Sequence, residues 1–233
     1  MFTENSEKTF LTVAAICSFA GAITTTLLIF LPSTPAVDFE AMVQLQSNSL
    51  YLAKLWILFI HPQVNIVAAL GIAYCLFRKN PISITIGTLF LFVWAYTEMS
   101  QQALLIDALN QLWRPAYLNA SDDEMKTMYT TLITAATGIS DSKYFLVLYS
   151  FGIGSLLYGW VLLDENIFGK CIGISLFFIG ILSLSSFTRF YLGATFMDNI
   201  VDWLYQWIYS YLQPMVRIAI GFWILHEIKR NKD

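Results

Sequence analysis

Seven polar side chains stand within otherwise apolar stretches of the 233-residue sequence, where a ligand could be held. An ionised side chain in hydrocarbon costs roughly 2.5–3.5 kcal/mol even on lenient insertion scales, so each one needs a partner, water or a function. Three of the seven are cations and one is a histidine, against a single carboxylate, and this excess favours an anionic or polar ligand. The seven candidate ligand-binding residues are Glu98, Gln101, Gln102, His61, Arg217, Lys54 and Arg189.

A rise of about 1.5 Å per helical residue places these side chains at two depths. Gln101 and Gln102 follow Glu98 by three and four residues, so on a helix they continue its face outward. The spacing predicts an outward-facing polar pocket in which Glu98 is the proton- or cation-sensitive group. The predicted layers, from the outside inward, are Lys54, Glu98 and Arg189 at the mouth, and then His61 and Arg217.

A structural interpretation of the same residues stays open. Glu98 could pair with Arg217 or Lys54 and hold the helices together, and Arg189 could extend its charge to the interface. Both interpretations predict that Glu98 faces the interior of the bundle. Both also predict that it contacts at least one of the four basic side chains Lys54, His61, Arg189 and Arg217.

Few other residues are placed for chemistry. The two histidines, His61 and His226, lie at different depths, so they cannot ligate one haem from both sides. The cysteines form no CxxC pair, and their spacing fits neither a zinc site nor a disulfide framework. We therefore predict no catalytic residue, no metal and no cofactor. The cysteines are Cys17, Cys75 and Cys171.

One carboxylate pair leaves an enzymatic alternative open. Asp198 and Asp202 share a helical face, as the carboxylates of diphosphate–magnesium sites do. A pair near an interface is more often a solvated face. If the protein were a membrane-embedded lipid-modifying enzyme, Asp198, Asp202 or Glu98 would supply its acid–base groups.

The elements that must position these residues follow from composition. Apolar residues make up 57% of the chain and charged ones 12%, against roughly a quarter charged in soluble domains. Apolar stretches of about 20 residues are long enough to span a bilayer. We predict an all-α integral membrane protein, a single polytopic domain over residues 1–233. Its six transmembrane helices are predicted at 9–31, 50–77, 82–105, 144–163, 170–189 and 204–227.

The charges of the loops predict the orientation. Basic residues near span ends mark the cytoplasmic side, and here they alternate with acidic loops. This places both termini in the cytoplasm, in a plasma or inner membrane. No block of basic residues offers a phosphate footprint, so nucleic acid is excluded as a partner. The basic residues assigned to the cytoplasmic side are Lys8, Arg78, Lys79, Lys170, Lys229, Arg230 and Lys232.

The outer loops carry signals for amphipathic helices. Ser121 and Glu124 form a capping box, which predicts a helix from Ser121 to a stop at Gly138, outside the bilayer. Thr34 followed by Pro35 predicts another helix start. The aromatic residues of 198–213 are typical of the headgroup level. These segments either lie on the bilayer surface or fold over the bundle and roof a cavity.

Three functions are compatible with the sequence. The first is binding or transport of a small polar, anionic or lipid-like ligand in the outward-facing pocket. The second is a non-catalytic subunit or assembly factor, with other membrane subunits or a second copy as partners besides the bilayer. The third is the lipid-modifying enzyme. Little beyond Asn65 and Thr85 is polar below His61 and Arg217, which argues against passage through the whole membrane.

Overall fold

A computed structural model describes residues 4–33 and 35–230, and these residues are almost entirely helical, with no strand among them. Two short π-helical segments, Leu105–Trp113 and Tyr205–Tyr209, continue α4 into α5 and α8 into α9. The helices are α1 (Glu4–Phe30), α2 (Phe39–Gln44), α3 (Ser49–Leu76), α4 (Pro81–Leu104), α5 (Arg114–Asn119), α6 (Asp123–Leu162), α7 (Ile167–Leu192), α8 (Asp198–Leu204) and α9 (Ser210–Arg230).

Six helices are long and apolar enough to cross a bilayer, in agreement with the predicted number. Three of them, counted with their continuous extensions, are much longer than predicted, at 39, 40 and 36 residues. A helix of 40 residues measures about 60 Å, twice the hydrocarbon thickness of about 30 Å. All three extensions lie where α1 ends and α3 begins, which we call the extended end. The opposite end, which carries Glu4 and Arg230, is called the terminal end.

The six long helices pack in chain order around a ring. Each contacts the next along the chain, from α1 to α3, α4, α6 and α7, and α9 closes the ring against α1 and α7. The main apolar core fills the ring towards the terminal end, with Leu11, Leu76, Ile84, Leu162 and Trp223 among its most buried members. The ring thus has a largely apolar base, and most of its buried polar residues lie nearer the extended end, although Glu227 is buried at the terminal end.

A second, smaller core lies at the extended end. Val43 of α2, Leu109 of the first π segment, and Ile133 and Ala136 of α6 pack together there. Beside it, buried Arg114 donates from Nη1 to the Asn110 side chain at 2.5 Å. These segments therefore pack against one another, and all of them except the separate short helix α2 continue one of the six long helices.

Three sequence predictions for these segments were wrong in detail. The N-cap of α6 is Asp122, which accepts from the Met125 amide at 2.7 Å, and the helix runs through Gly138 without a stop. A glycine stop needs a left-handed backbone, and among the described residues only Gly193 has a positive φ. The first loop helix starts at Phe39 with Asp38 as its cap, so Pro35 lies outside it, and Thr34 lies outside the described residues.

The cap of α6 gives a first testable prediction. Asp122→Ala removes the acceptor of the Met125 amide and should destabilise the first turn of α6 by about 1 kcal/mol. Ser121→Ala is the matched control, since Ser121 is exposed and outside the helix. Hydrogen exchange at the first amides of α6 measures the difference. Faster exchange in the Ser121 variant than in the Asp122 variant would contradict the assignment.

Candidate functional site

A pocket of about 360 Å³ lies inside the ring, in the half nearer the extended end. It contains two of the predicted site residues, Glu98 of α4 and His61 of α3. Aliphatic side chains such as Leu28, Leu58 and Val147 complete its wall. Among the described residues that line it, Glu98 is the single acidic or basic residue apart from His61. Glu98 is only 9% exposed.

The second π segment shapes one side of this pocket. Tyr205 and Tyr209 both line it, and their ring centroids lie 4.7 Å apart. A π-helix closes its hydrogen bonds over five residues, so its turn is wider than that of an α-helix, and such turns occur often at functional sites. Gln213, a further four residues along in α9, also lines the pocket. The stretch thus presents one polar and aromatic face to the interior.

A smaller chamber of about 70 Å³ continues the pocket towards the terminal end. The two share Trp94, Phe151 and Gln213 as lining residues. Polar groups of the chamber include Asn65 and Arg217. Polar side chains therefore extend from Glu98 down to Arg217, which agrees with the two predicted depths.

A series of hydrogen bonds connects the two deeper predicted site residues, His61 and Arg217, through Asn65. The Thr24 hydroxyl lies 2.9 Å from His61 Nδ1, and Asn65 Nδ2 lies 3.1 Å from His61 Nε2. Arg217 Nη1 donates to Asn65 Oδ1. The Asn65 amide nitrogen can only donate, so His61 accepts at Nε2 and carries its proton at Nδ1. His61 is therefore neutral in this arrangement, and both of its ring nitrogens are occupied.

Two residues predicted at the mouth lie elsewhere. Lys54 Nζ donates to the Leu31 carbonyl at 2.9 Å, at the end of α1, where a cation is favoured by the helix dipole. Arg189 pairs with Asp202 at 2.6 Å and lies 3.9 Å from Asp198, so it ties α7 to α8. The carboxylate pair that resembles a magnesium site thus neutralises Arg189. In both cases the cation interacts with a carbonyl or carboxylate oxygen, and neither residue lines the pocket.

The two glutamines also lie outside the pocket lining. Gln101 Nε2 donates to the Ser140 carbonyl at 2.9 Å and so connects α4 with α6. Gln102 is buried, and its Oε1 has no hydrogen-bond partner within the described part of the chain. Residues three and four positions from Glu98 lie about 60° and 40° around the helix from it and one turn further along, where they contact neighbouring helices beyond the pocket.

Glu98 faces the interior of the bundle, as predicted, but the predicted contact with a basic side chain is not present as an ion pair. Over residues 4–33 and 35–230, no lysine, arginine or histidine nitrogen lies within 4.0 Å of its carboxylate. Arg217 acts on Glu98 from a greater distance, and the indole of Trp94 interacts with it. Arg217 donates instead to Asn65.

Sequence reasoning missed the aromatic part of the pocket. Tyr144, Tyr205 and Tyr209 line it together with Gln213. The sequence left open whether residues 198–213 lie on the bilayer surface or roof a cavity, and none of these four was predicted as a site residue. The spacing of 205, 209 and 213 was a usable signal, because residues four apart share a helical face. The more exposed aromatic residues of that stretch, such as Trp207, point away from it.

The isolation of Glu98 predicts the effect of removing its charge. Glu98→Gln keeps the shape and breaks no ion pair, so the unfolding free energy should stay within about 1 kcal/mol of the wild type or rise. Denaturant titration of the protein in detergent micelles measures this. Gln101→Leu, which loses the Ser140 contacts, provides a comparison at the same helix face. A loss of about 3–5 kcal/mol in Glu98→Gln would identify a buried clamp.

No protein-family model matches the chain, and neither a curated protein nor a solved structure is similar enough to match it.

Proposed function

We propose that this chain is a multi-pass membrane protein that binds a small polar or amphipathic ligand in the pocket around Glu98. The observation that carries the proposal is a buried carboxylate without an ion-pair partner, facing a cavity of about 360 Å³. Burying an unpaired charge is costly, and such groups concentrate at functional sites. A purely structural glutamate would be expected to contact one of the available cations.

The floor of the chamber supports binding from one side. Below Arg217 the lining residues become aliphatic, with Ile72, Leu176 and Ile220. The Tyr158 hydroxyl, which also lines the chamber, lies 2.7 Å from Thr88 Oγ1 and 3.3 Å from the Ala69 carbonyl, so its hydrogen bonds are used between helices. This arrangement supports a ligand that enters the pocket from the extended end and leaves by the same end, without passing through the bundle.

The lining also supports binding over catalysis. Acid–base chemistry on a bound lipid needs positioned proton donors and acceptors near the reacting bond. Within the described lining, Glu98 is the single carboxylate, and His61 has both nitrogens occupied. Asp198 and Asp202, the other candidates, are engaged by Arg189.

A ligand screen tests the function. A ligand that binds only the folded protein stabilises it, by about 2.7 kcal/mol at a concentration of 100 times Kd. We expect at least one small polar or amphipathic compound to raise the unfolding temperature of the purified protein. Leu58→Trp, which fills the cavity, should abolish that shift, whereas Leu58→Met should retain it. A shift that survives Leu58→Trp would place the ligand elsewhere and contradict the proposal.

The orientation is part of the same proposal. We infer that both termini are cytoplasmic and that the extended end lies on the opposite side of a plasma or inner membrane, since the basic loop residues favour it. With Cys17, Cys75 and Cys171 replaced by alanine, Asp123→Cys should react with a membrane-impermeant maleimide on intact cells. Lys229→Cys should react only after the cells are opened. Labelling of both from the same side would contradict the orientation.

A second candidate function is that of a subunit in a larger membrane assembly. It is favoured by the exposed side chains of α8 and its neighbours, among them Phe196, Trp203 and Trp207, which are 87%, 53% and 56% exposed. Aromatic residues of this kind are enriched at interfaces. Native mass measurement after mild extraction tests it. A mass equal to the 26.5 kDa chain alone would contradict this alternative.

A further inference from the structure

The lining of the pocket argues against the anionic ligand that the sequence favoured. Each cation predicted to face it is held elsewhere: Lys54 by the Leu31 carbonyl, and Arg189 by two aspartates. Arg217 lies in the deeper chamber and donates to Asn65. What remains in the pocket itself, over the described residues, is one carboxyl group, that of Glu98, which is negative when it is deprotonated. A ligand that complements this lining carries a positive charge.

The walls of the pocket have the chemistry that such a charge prefers. Five aromatic residues line it. The face of an aromatic ring attracts cations, and cages of such rings recognise ammonium groups. Tyrosine hydroxyls add oxygen acceptors at the ring edges. The aromatic lining residues are Trp94, Tyr144, Phe151, Tyr205 and Tyr209.

The rest of the lining restricts what the cation can be. Leu28, Ile29, Leu58 and Val147 offer apolar surface, which a strongly hydrated metal ion would not use. A second carboxylate, which a divalent cation would require, is not among the described lining residues. Alkyl groups around a nitrogen would bury area against these side chains. The lining therefore favours an organic cation.

We propose that the pocket binds a small organic ammonium ion, with its charge beside Glu98 and its alkyl groups against the aromatic walls. This inference rests on the proposed binding function and adds the class of ligand. Arg217 repels such a cation from the chamber side. The ammonium group is therefore held nearer the extended end, among Tyr144, Tyr205 and Tyr209, which line the pocket but not the chamber.

The test compares three probes of nearly equal shape. The first is choline. The second is the dimethylbutanol in which a neutral tert-butyl group replaces the trimethylammonium group of choline. The third is the dimethylbutyrate that carries the same tert-butyl group and a negative carboxylate. Isothermal titration of the purified protein should show that choline binds at least about tenfold more tightly than dimethylbutanol. Dimethylbutyrate should bind more weakly than either.

Variants assign the preference to the pocket. Glu98→Gln should remove the preference for choline, while Glu98→Asp, which keeps the charge, should retain part of it. Tyr209→Leu should weaken choline more than dimethylbutanol, because it removes a ring and leaves apolar surface. Glu124→Gln, at an exposed carboxylate outside the pocket, is the matched control and should leave all three affinities unchanged.

Each contrary result has a distinct meaning. If dimethylbutanol or dimethylbutyrate binds as tightly as choline, the ammonium inference is overturned and the binding function stands. The same holds if no probe binds while another compound stabilises the protein through the pocket. If neither these probes nor any screened compound binds, the proposed function is overturned together with the inference. A choline preference that survives Glu98→Gln also overturns the inference.

Discussion

Gly180→Val is expected to separate α6 from α7 and to lower the unfolding free energy by about 3 kcal/mol or more. A Cβ atom at Gly180 would lie 2.8 Å from the Gly152 carbonyl oxygen and 2.9 Å from the Leu156 amide nitrogen. These are backbone atoms of a neighbouring helix, which cannot rotate away as a side chain can. Only a shift of the whole helix relieves the overlap.

The same contact recurs along this pair of helices. A Cβ at Gly159 would lie 2.7 Å from the Phe177 amide nitrogen, and one at Gly173 would lie 2.8 Å from the Gly159 carbonyl oxygen. Small residues allow helices in a membrane to approach closely, where association depends on packing rather than on the hydrophobic effect. The loss at Gly180 should therefore extend over the interface and affect Ser183, which lines the pocket.

Gly138→Ala is the matched control for this prediction. Gly138 lies within α6, the helix against which Gly180 of α7 packs, but nothing lies within 4 Å of the position that its Cβ would take, so only helix propensity changes. That substitution should stabilise the protein by about 0.5–1 kcal/mol. Denaturant titration in micelles compares the two. Equal effects of the same sign at positions 138 and 180 would contradict the backbone contact.

Asn65→Leu is expected to have the second large effect, a loss of about 3 kcal/mol. The substitution keeps the approximate size but removes the acceptor of Arg217 Nη1 and the donor to His61 Nε2. A partly buried guanidinium would then lack its hydrogen bond, and Arg217 Nε already has no partner within the described residues. The cost arises from polar groups left unsatisfied, rather than from lost apolar contact.

A double variant separates that cause from a packing defect. Adding Arg217→Met to Asn65→Leu removes the unsatisfied charge and should recover at least about 1 kcal/mol of the loss. The two substitutions should therefore be non-additive in a double-mutant cycle. Denaturant titrations of the two single variants and the double variant give the coupling. Strictly additive losses would show that Asn65 and Arg217 stabilise the protein independently.

The all-helical fold and the number of helices long and apolar enough to span a membrane could be predicted from the sequence alone. Whether a stretch can cross a bilayer depends on its own length and composition, which are local properties. The depth of a residue follows from its position along such a helix, and this placed Glu98 and His61 in one pocket with Arg217 below them. These features needed no information about which helices are neighbours.

Helix boundaries outside the spans were only partly predictable. Ser121 and Asp122 are adjacent and both can cap a helix, and local chemistry does not choose between them. Gly138 can end a helix or remain inside one. Whether the helix continues through Gly138 depends on packing. Ile133 and Ala136 belong to the small core at the extended end, and their contacts there stabilise α6 as one continuous helix.

The partners of the polar side chains were decided by the tertiary structure. Depth gives the height of a residue, whereas its neighbour depends on the direction in which each helix face points within the ring. Lys54, Gln101 and Arg189 bind carbonyl or carboxylate oxygens of neighbouring segments. Asn65 accepts a hydrogen bond from Arg217. Glu98 was thereby left as a single charge among aromatic rings. The sequence supplies the charges and their depths, but only the arrangement of the six helices determined which of them meet.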